Sequence, residues 1–413
     1  MSDVFVLNVN LYANPIGTIT RLPGDKTIFA FNDAYIADES RPTLGLGFKD
    51  ATGDIMTDFK PYQNRAMPFF SNLLPEGRLR AYLAQRAGVR PQREFFLLWI
   101  LGADLPGAVT ITPADDEAWP PNRDYELDRE AEEDRKNAAF RFSLAGVQLK
   151  FSAVGNTTGG LTIPTRGVGG SWIIKFPSDK YTGVPENEYA MMTLARQLGM
   201  DVPALELIDL ASISNIPADL SRVKGKALAI QRFDRTSDGS AVHIEDFAQV
   251  FGLYPADKYG KASLMNIASV IAAEGDASDV RELIRRITFN TLIGNADMHL
   301  KNWSLIYPDR RNAHLAPAYD LASTIPYIPD EEAALKVSRS KRFEAFNDDE
   351  LAKLADRASL PKAIVLDEAH KTVELFHEYW DRAKKDLPIS GEVATAIEKH
   401  LKKIPIVASS SRT

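Results

Sequence analysis

The spacing of apolar residues changes along the chain, from strand-like alternation in the first half to mostly helical periodicity in the second. Over residues 1–112 the pattern predicts a small α+β unit. Its predicted strands are 4–11, 18–20, 28–31 and 109–112, and its predicted helices are 77–87 and 92–101. Residues 113–138 follow, and their acidic, proline-containing composition is typical of a solvated connector.

Residues 139–235 are predicted to form a second unit that is dominated by strands. Its predicted strands are 149–153, 171–176, 205–210 and 226–233, and its single predicted helix is 187–198. Gly199 is a suitable C-terminal stop for that helix. The glycine-rich run 155–170 favours an excursion between two strands.

Residues 236–405 show mainly the helical period. The predicted helices are 246–251, 262–273, 279–293, 348–358, 362–385 and 391–402, and the tail 406–413 is predicted to fray. Strands followed by helices predict an α+β, two-lobed, protein-kinase-like fold. It would have a β-rich small lobe, an extra N-terminal α+β subdomain and an all-helical large lobe, with a nucleotide in the cleft between the lobes.

The strongest chemical signal lies at the end of the predicted helix 279–293. Asp297 and Asn302 have the D-x-x-x-x-N spacing of a kinase catalytic loop, and Asp320 follows a predicted hairpin with strands 303–307 and 314–316. One carboxylate would meet the attacking hydroxyl, while an amide oxygen and a second carboxylate would hold Mg²⁺. By itself, D-x-x-x-x-N also fits an ordinary capped loop.

A lysine on an apolar strand supplies a second signal. Lys175 ends the run Trp172–Lys175, and a buried ammonium needs a polar partner such as a nucleotide phosphate. Glu188, on the next predicted helix, could hold it. By itself, Lys175 fits an edge strand whose lysine reaches solvent better than it fits a phosphate contact.

Three weaker signals surround these residues. The small residues after Ser143 precede a strand, so their amides could cradle phosphates. The segment 229–235 joins the two lobes and could present backbone groups to adenine, with Phe233 on the ring or in the core. His299 has no partner at metal-ligand spacing, which favours a structural or phosphate-contacting role over zinc.

Composition narrows the class of protein. The formal net charge of −7 argues against a protein that coats nucleic acid by itself, and the absence of cysteine excludes disulfides, thiolate catalysis and cysteine-ligated zinc. The apolar run 95–101 is far shorter than the roughly 18 residues of a membrane span. Without a predicted signal peptide, the cytoplasm is the expected location.

Several ordered motifs resemble those of the HipA family of bacterial serine/threonine kinase toxins. The matching segments are FFSNLLPEG (69–77), GADLPGAVTI (102–111), RFSLAGVQLKFS (141–152), WIIKFP (172–177), NEYAMMTLARQLGMDVP (187–203), QRFDR (231–235), LIGNADMHLKNWSL (292–305) and LAPAYDLAS (315–323). They run nearly from end to end of the chain. The resemblance therefore implies the fold and the activity of that family.

The resemblance also implies residue roles. Asp297 matches the catalytic aspartate, Asn302 and Asp320 match the magnesium ligands, and Ser143 matches a loop serine whose autophosphorylation ejects the loop and stops the kinase. The expected ATP-binding residues are Lys175, Glu188, Leu144, Ala145, Gly146, Val147, Gln231, Arg232, Phe233, His299 and Lys301. Gln231 departs from the glutamate common in the family, with little expected consequence because hinge contacts use the backbone.

The cofactors implied by the resemblance are ATP and Mg²⁺. The implied partners are a separately encoded helix-turn-helix antitoxin, which would supply the only contact with DNA, and a protein substrate of the translation machinery, typically an aminoacyl-tRNA synthetase. No membrane partner is expected. Two alternatives remain: a small-molecule phosphotransferase of kinase-like fold, which has no need of residues 1–112, and a catalytically silent co-repressor, which has no need of the intact Lys175, Asp297, Asn302 and Asp320 set.

Overall fold

A computed structural model describes residues 5–114, 150–155, 161–162, 170–178, 180–216, 224–328 and 332–410. Most of the predicted connector 113–138, and with it Ser143 and the phosphate-loop residues 144–147, lies outside the described residues. No helix in these ranges is both long enough and apolar enough to cross a bilayer.

The N-terminal unit is a five-stranded antiparallel sheet with helices packed on it. Its strands are β1 (Phe5–Leu11), β2 (Asn14–Leu22), β3 (Lys26–Phe31), β4 (Tyr62–Gln63) and β5 (Val109–Pro113), in the order β4-β3-β2-β1-β5. Its helices are α1 (Asp33–Ala37), α2 (Pro68–Asn72), α3 (Gly77–Ala87) and α4 (Glu94–Leu101). Strand β1 alternates between buried and half-buried residues, as its sequence predicts.

The small lobe is a six-stranded sheet with one long helix. Its strands are β6 (Lys150–Gly155), β7 (Leu161–Thr162), β8 (Trp172–Lys175), β9 (Leu205–Asp209), β10 (Ile213–Ser214) and β11 (Lys226–Gln231), in the order β10-β7-β6-β8-β11-β9. Helix α5 (Val184–Gln197) packs on β9 and β11. Strand β8 lies between β6 and β11, with Lys175 opposite Leu228, so the lysine belongs to an interior strand.

Part of the small lobe shares a hydrophobic core with the N-terminal unit. Small-lobe residues such as Ile174, Phe176 and Ala227 belong to the same buried cluster as Leu7 and Phe70. The boundary predicted near residue 112 therefore separates two stretches of chain, but not two independent cores.

The large lobe is mostly helical. Its helices are α6 (Phe247–Val250), α7 (Leu264–Glu274), α8 (Ala277–Leu292), α9 (Asp348–Arg357), α10 (Lys362–Asp386), α11 (Gly391–Leu401) and α12 (Pro405–Ser410). Helices α8 and α10 pack along each other in a core that also takes residues from α5.

Two predictions for the large lobe are wrong. It is not all-helical, because the predicted hairpin β13 (Ser304–Tyr307) and β14 (His314–Leu315) pairs with an unpredicted third strand, β12 (His243–Asp246). Residues 406–410 of the tail do not fray, because Ile406 is fully buried in the core and α12 continues to Ser410.

Candidate active site

The loop after α8 places Asp297 and Asn302 side by side. Gly294 stops the helix with φ of 64°, and a Cβ there would lie 2.6 Å from the Ile325 side chain. The Asn295 side chain accepts a hydrogen bond from the Asp297 N–H at 3.0 Å. The Asn302 side-chain amide donates to the Asp297 carbonyl at 2.8 Å. Side-chain bonds therefore fix the backbone of the loop.

The Asp297 carboxylate faces a tyrosine that sequence reasoning missed. The Tyr259 hydroxyl donates a hydrogen bond to Asp297 Oδ1 at 2.8 Å, and its ring meets His299 edge-on at 5.1 Å between centroids. Burial and the Asp297 carboxylate raise the pKa of Tyr259 well above its usual value, so its hydroxyl is a neutral donor at pH 7. No motif marks Tyr259, which lies 38 residues before Asp297.

Lys175 joins the two lobes. It is 4% exposed, and its ammonium makes ion pairs with Glu188 on α5 and with Asp320 after the hairpin. Burial lowers the pKa of Lys175, but the Asp320 and Glu188 carboxylates outweigh burial and hold it above its usual value. The ammonium is therefore charged.

Asp320 has a backbone conformation that is uncommon for a residue with a side chain. Its φ of 54° lies in the left-handed region, where aspartate is tolerated better than most residues. Such outliers persist where the surroundings impose them, often at functional sites. The Asp320 side chain is 25% exposed and lines the same cleft as Asp297 and Asn302.

His299 lies in the loop with an unsatisfied ring nitrogen. Its Nδ1 is buried and has no hydrogen-bond partner among the described residues. Burial and the nearby Lys258 ammonium lower the pKa of His299 to about 4, so the ring is neutral at pH 7. A neutral imidazole that lines the cleft can donate one hydrogen bond to a ligand oxygen.

The segment predicted to be the hinge begins at the end of β11, and its backbone and one of its side chains have partners within the protein. The main-chain N–H of Gln231 donates to the Ala204 carbonyl, and that of Arg232 donates to the Ser171 carbonyl, both at 2.7 Å. The Arg232 guanidinium, 2% exposed, forms ion pairs with Asp104 and Asp234. The Arg232 side chain therefore ties this segment to the N-terminal unit, and the expected contact of Arg232 with ATP, which is a backbone contact, stays a prediction.

Phe233 packs against an aromatic residue of the large lobe. Its ring packs against that of Tyr319, 5.6 Å away between centroids, and both rings line the cleft. Phe233 therefore contacts the residue that precedes Asp320.

Lys301, expected to bind ATP, has an ammonium that is bonded within the protein. Its ammonium donates to the main-chain and side-chain oxygens of Asn72 at 2.8 and 3.1 Å. It also lies 3.3 Å from an Asp246 carboxylate oxygen. Because this lysine is held by the N-terminal unit, its ammonium is not free for ATP phosphates.

The site residues surround one cleft of about 810 Å³. Lys175, Glu188 and Gln231 line its small-lobe side, and Asp297 and Asn302 line its large-lobe side. This volume is in the range of small-molecule and cofactor sites, about 300–1,000 Å³. The structure thus brings the sequence-predicted site residues that it describes together around a space large enough for a nucleotide.

Comparison with known proteins finds the family that the sequence motifs resemble, over nearly the whole chain. The model of the HipA N-terminal domain matches residues 7–112, and that of the HipA-like C-terminal domain matches residues 142–380. "Putative kinase Y4dM" of Sinorhizobium fredii is 57% identical over 403 residues, or 97% of each chain. The "Serine/threonine-protein kinase toxin HipA" of Shewanella oneidensis is 26% identical over 404 residues, covering 89% of this chain and 87% of the relative.

A solved structure shares the fold. The complex of Shewanella oneidensis HipA with HipB and its operator DNA contains a chain that matches with a TM-score of 0.72 and 22% identity, covering 98% of this chain and 97% of that one. The match supports the α+β kinase-like fold. With both domains of the family matched in order, the chain belongs to the HipA family.

Proposed function

We propose that this protein is an ATP-dependent serine/threonine protein kinase that acts as the toxin of a toxin–antitoxin pair. The observation that carries the proposal is the ion-paired Lys175, joined to both Glu188 and Asp320 above a loop that presents Asp297 and Asn302. This is the set of groups that phosphoryl transfer requires. The kinase names of the relatives support the same reaction class.

The residues of the cleft suit ATP and Mg²⁺. Asn302 and Asp320 supply hard oxygen atoms of the kind that Mg²⁺ prefers, and the metal when bound would offset phosphate charge. Lys175 and His299 line the cleft, and the Lys175 ammonium and the His299 ring would contact phosphate oxygens. The hinge would border the adenine, and residues 144–147 would cover the phosphates.

Asp297 would receive the acceptor hydroxyl. Its carboxylate can accept the proton that leaves the hydroxyl, while the Asn302 side chain holds the Asp297 backbone by its bond to the carbonyl. Tyr259 holds one carboxylate oxygen and leaves the other for the acceptor. Lys175 would stabilise the charge on the transferred group, with Glu188 keeping the lysine in place.

The proposed acceptor is a serine or threonine of a protein in the translation machinery, such as an aminoacyl-tRNA synthetase. The relative from Shewanella oneidensis carries the name of a serine/threonine-protein kinase toxin, which supports a protein acceptor. The proposed antitoxin is a separate helix-turn-helix protein, supported by the solved HipA–HipB–DNA complex. DNA would then be contacted only through the antitoxin.

The proposal includes an off-switch at Ser143. A phosphate there would carry about −1.5 to −2 charges at pH 7 and would be repelled by the cleft carboxylates. We therefore expect it to drive the loop 144–147 out of the cleft. Intact-mass measurement after incubation with Mg²⁺-ATP tests this: one added phosphate is expected on the wild type, and none on Ser143→Ala or Asp297→Ala.

The experiment that tests the acceptor class uses labelled ATP. A cell lysate is separated into macromolecules and small molecules, and each pool is incubated with the wild type and with Asp297→Ala. Label in serine or threonine of a protein, with the wild type only, is expected. Label confined to the small-molecule pool would establish the phosphotransferase alternative, and no label in either pool would favour the silent co-repressor.

A further inference from the structure

The N-terminal segment 69–77 reaches the catalytic loop. Its Asn72, 2% exposed at the end of α2, accepts both hydrogen bonds from the Lys301 ammonium. Its side-chain amide donates to the Leu253 carbonyl at 2.7 Å and to the Pro68 carbonyl at 2.9 Å. Asn72 therefore ties together α2, the segment after α6 and the catalytic loop.

Charged residues extend this contact. Glu76 Oε2 lies 2.9 Å from the Lys258 ammonium, and Glu76 Oε1 lies 3.4 Å from the Lys301 ammonium. Burial raises the pKa of Glu76, but Lys301 and Lys258 outweigh it and hold the pKa below its usual value. With Asp246, the group contains two cations and two acidic side chains, which limits the cost of burying its charges. We call Asn72, Glu76, Asp246, Lys258 and Lys301 the interdomain network.

The interdomain network contacts the catalytic loop and, through it, the segment that contains Asp320. Lys301 lies between His299 and Asn302, and its main-chain carbonyl accepts a hydrogen bond from Tyr319 at 2.9 Å. Tyr319 directly precedes Asp320. A shift of Lys301 would therefore move the catalytic loop and the backbone next to Asp320 together.

The Lys301 ammonium has no spare capacity for a ligand. An ammonium has three donor hydrogens, and two of them bond to Asn72 while the Asp246 and Glu76 carboxylates are near enough to engage the third. A phosphate could be bound by Lys301 only if these contacts broke. Lys301 therefore differs in role from Lys175. The two acidic partners of Lys175 are themselves site residues, whereas the Lys301 ammonium bonds to Asn72 of the N-terminal unit.

We propose that Asn72 and Glu76 are positioning residues of the active site, through which the N-terminal unit holds Lys301 and the catalytic loop in the geometry for phosphoryl transfer. The inference rests on the proposed function and extends it, since it makes the N-terminal unit part of the kinase rather than an appended module. A misplacement of about 1 Å can cost on the order of 10²-fold in rate. Nucleotide binding, which depends on Lys175 and the hinge, would be spared.

The test uses Asn72→Ala, Lys301→Met and the double variant in the full-length chain. Both single variants are expected to lower kcat about 10- to 100-fold, with the Kd for Mg²⁺-ATP unchanged within error. The double variant is expected to be no slower than the slower single variant, because both substitutions break one coupled contact. Hydrogen exchange of backbone amides in residues 295–305 is expected to accelerate in all three.

The matched control is Thr43→Val. Thr43 also links the N-terminal unit to the large lobe, through its hydroxyl to the Arg311 carbonyl at 2.9 Å, but it lies outside the interdomain network. Its kcat and the exchange of residues 295–305 are expected to stay at the wild-type level. Equal losses of kcat in Thr43→Val would show a general effect of interdomain stability and overturn the inference.

Three further outcomes separate this inference from the proposed function. Unchanged kcat and unchanged exchange in Asn72→Ala would overturn the inference and leave the kinase assignment intact. A large loss of ATP affinity in Lys301→Met, with kcat retained at saturation, would overturn it by making Lys301 a nucleotide ligand. If the wild type transfers no phosphate, the kinase is rejected, and accelerated exchange in the variants would then show only that Asn72 and Lys301 hold the loop 295–305.

Discussion

At the level of single residues, Lys175 has a role set by its two acidic partners. Lys175→Met would leave Glu188 and Asp320 facing each other without a cation in a buried site. Removing one partner of a buried ion pair typically costs about 3–5 kcal/mol, and the low end is expected because Asp320 is 25% exposed.

We therefore expect Lys175→Met to bind Mg²⁺-ATP undetectably in calorimetric titration and to unfold at lower denaturant concentration. Lys180→Met is the control, since Lys180 is an exposed lysine at the rim of the same cleft. ATP affinity in Lys175→Met equal to that of the control would contradict the assignment.

Tyr259 gives a second prediction at this scale. Its hydroxyl is a donor to the Asp297 carboxylate, so Tyr259→Phe frees the carboxylate to rotate. A hydrogen bond to a charged group is typically worth about 1.5–3 kcal/mol, which corresponds to a fall in kcat on the order of tenfold or more. The fall in kcat is measured by steady-state kinetics at saturating ATP.

The control for Tyr259 is Tyr254→Phe. The Tyr254 hydroxyl donates to the Ala66 carbonyl at 3.2 Å and does not contact Asp297. Its kcat is expected to equal that of the wild type. An increase in kcat for Tyr259→Phe would instead mean that Tyr259 obstructs the acceptor.

Sequence could predict the site residues that have a fixed spacing or a chemically demanding position. Asp297 and Asn302 are five residues apart on one loop, and Lys175 is a charged residue in an apolar strand. It could not predict Asn72, which meets Lys301 across 229 residues. Nor could the sequence predict that the Arg232 and Lys301 side chains bond to the N-terminal unit. Those contacts depend on how the N-terminal unit packs against the small and large lobes.

At the level of elements, the junction between α8 and the catalytic loop depends on Gly294. Its positive φ costs any other residue except asparagine or aspartate about 1 kcal/mol or more, and an added Cβ would press on Ile325. Gly294→Ala is therefore expected to lower the free energy of unfolding by roughly 1–3 kcal/mol. Denaturant unfolding with an unchanged midpoint would contradict this.

Gly391→Ala is a suitable comparison for Gly294→Ala. An added Cβ at Gly391 meets open space at the start of α11, and alanine favours a helix. That variant is expected to be as stable as the wild type or slightly more so.

Elements with strong local signals were predicted well. Helix α3 has the predicted bounds. Helix α8 ends at Leu292, two residues before Gly294, which was the predicted helix stop. Strand β12, with four residues, was missed because it is defined by pairing with β13 about sixty residues later. Helix α12 was missed because its stability comes from burial of Ile406 in a distant core.

At the level of the whole molecule, a buried acid links the N-terminal unit to the large lobe. Glu245 accepts a hydrogen bond from the Leu46 N–H at 2.8 Å and another from the Tyr307 hydroxyl, while its Oε2 has no partner among the described residues. Burial raises the pKa of Glu245 to about 7. The folded state therefore favours the protonated acid.

This linkage predicts a pH effect. Because the folded pKa lies above the unfolded value, the stabilisation is complete below pH 4.5 and is lost as pH rises through 7. The difference in unfolding free energy between wild type and Glu245→Gln should fall by roughly 2 kcal/mol from pH 5 to pH 8. His243, whose pKa burial lowers to about 4, contributes in the opposite direction but equally to both proteins. A difference that stays constant with pH would refute the linkage.

The central claim is that the loop carboxylate of Asp297 acts on the acceptor hydroxyl during phosphoryl transfer. The direct measurement is the single-turnover rate of label transfer from Mg²⁺-ATP to protein for wild type and Asp297→Asn, with the Kd for Mg²⁺-ATP measured on the same samples. We expect the rate to fall by about 10²–10⁴ with the Kd nearly unchanged. Transfer by Asp297→Asn at the wild-type rate would contradict the account.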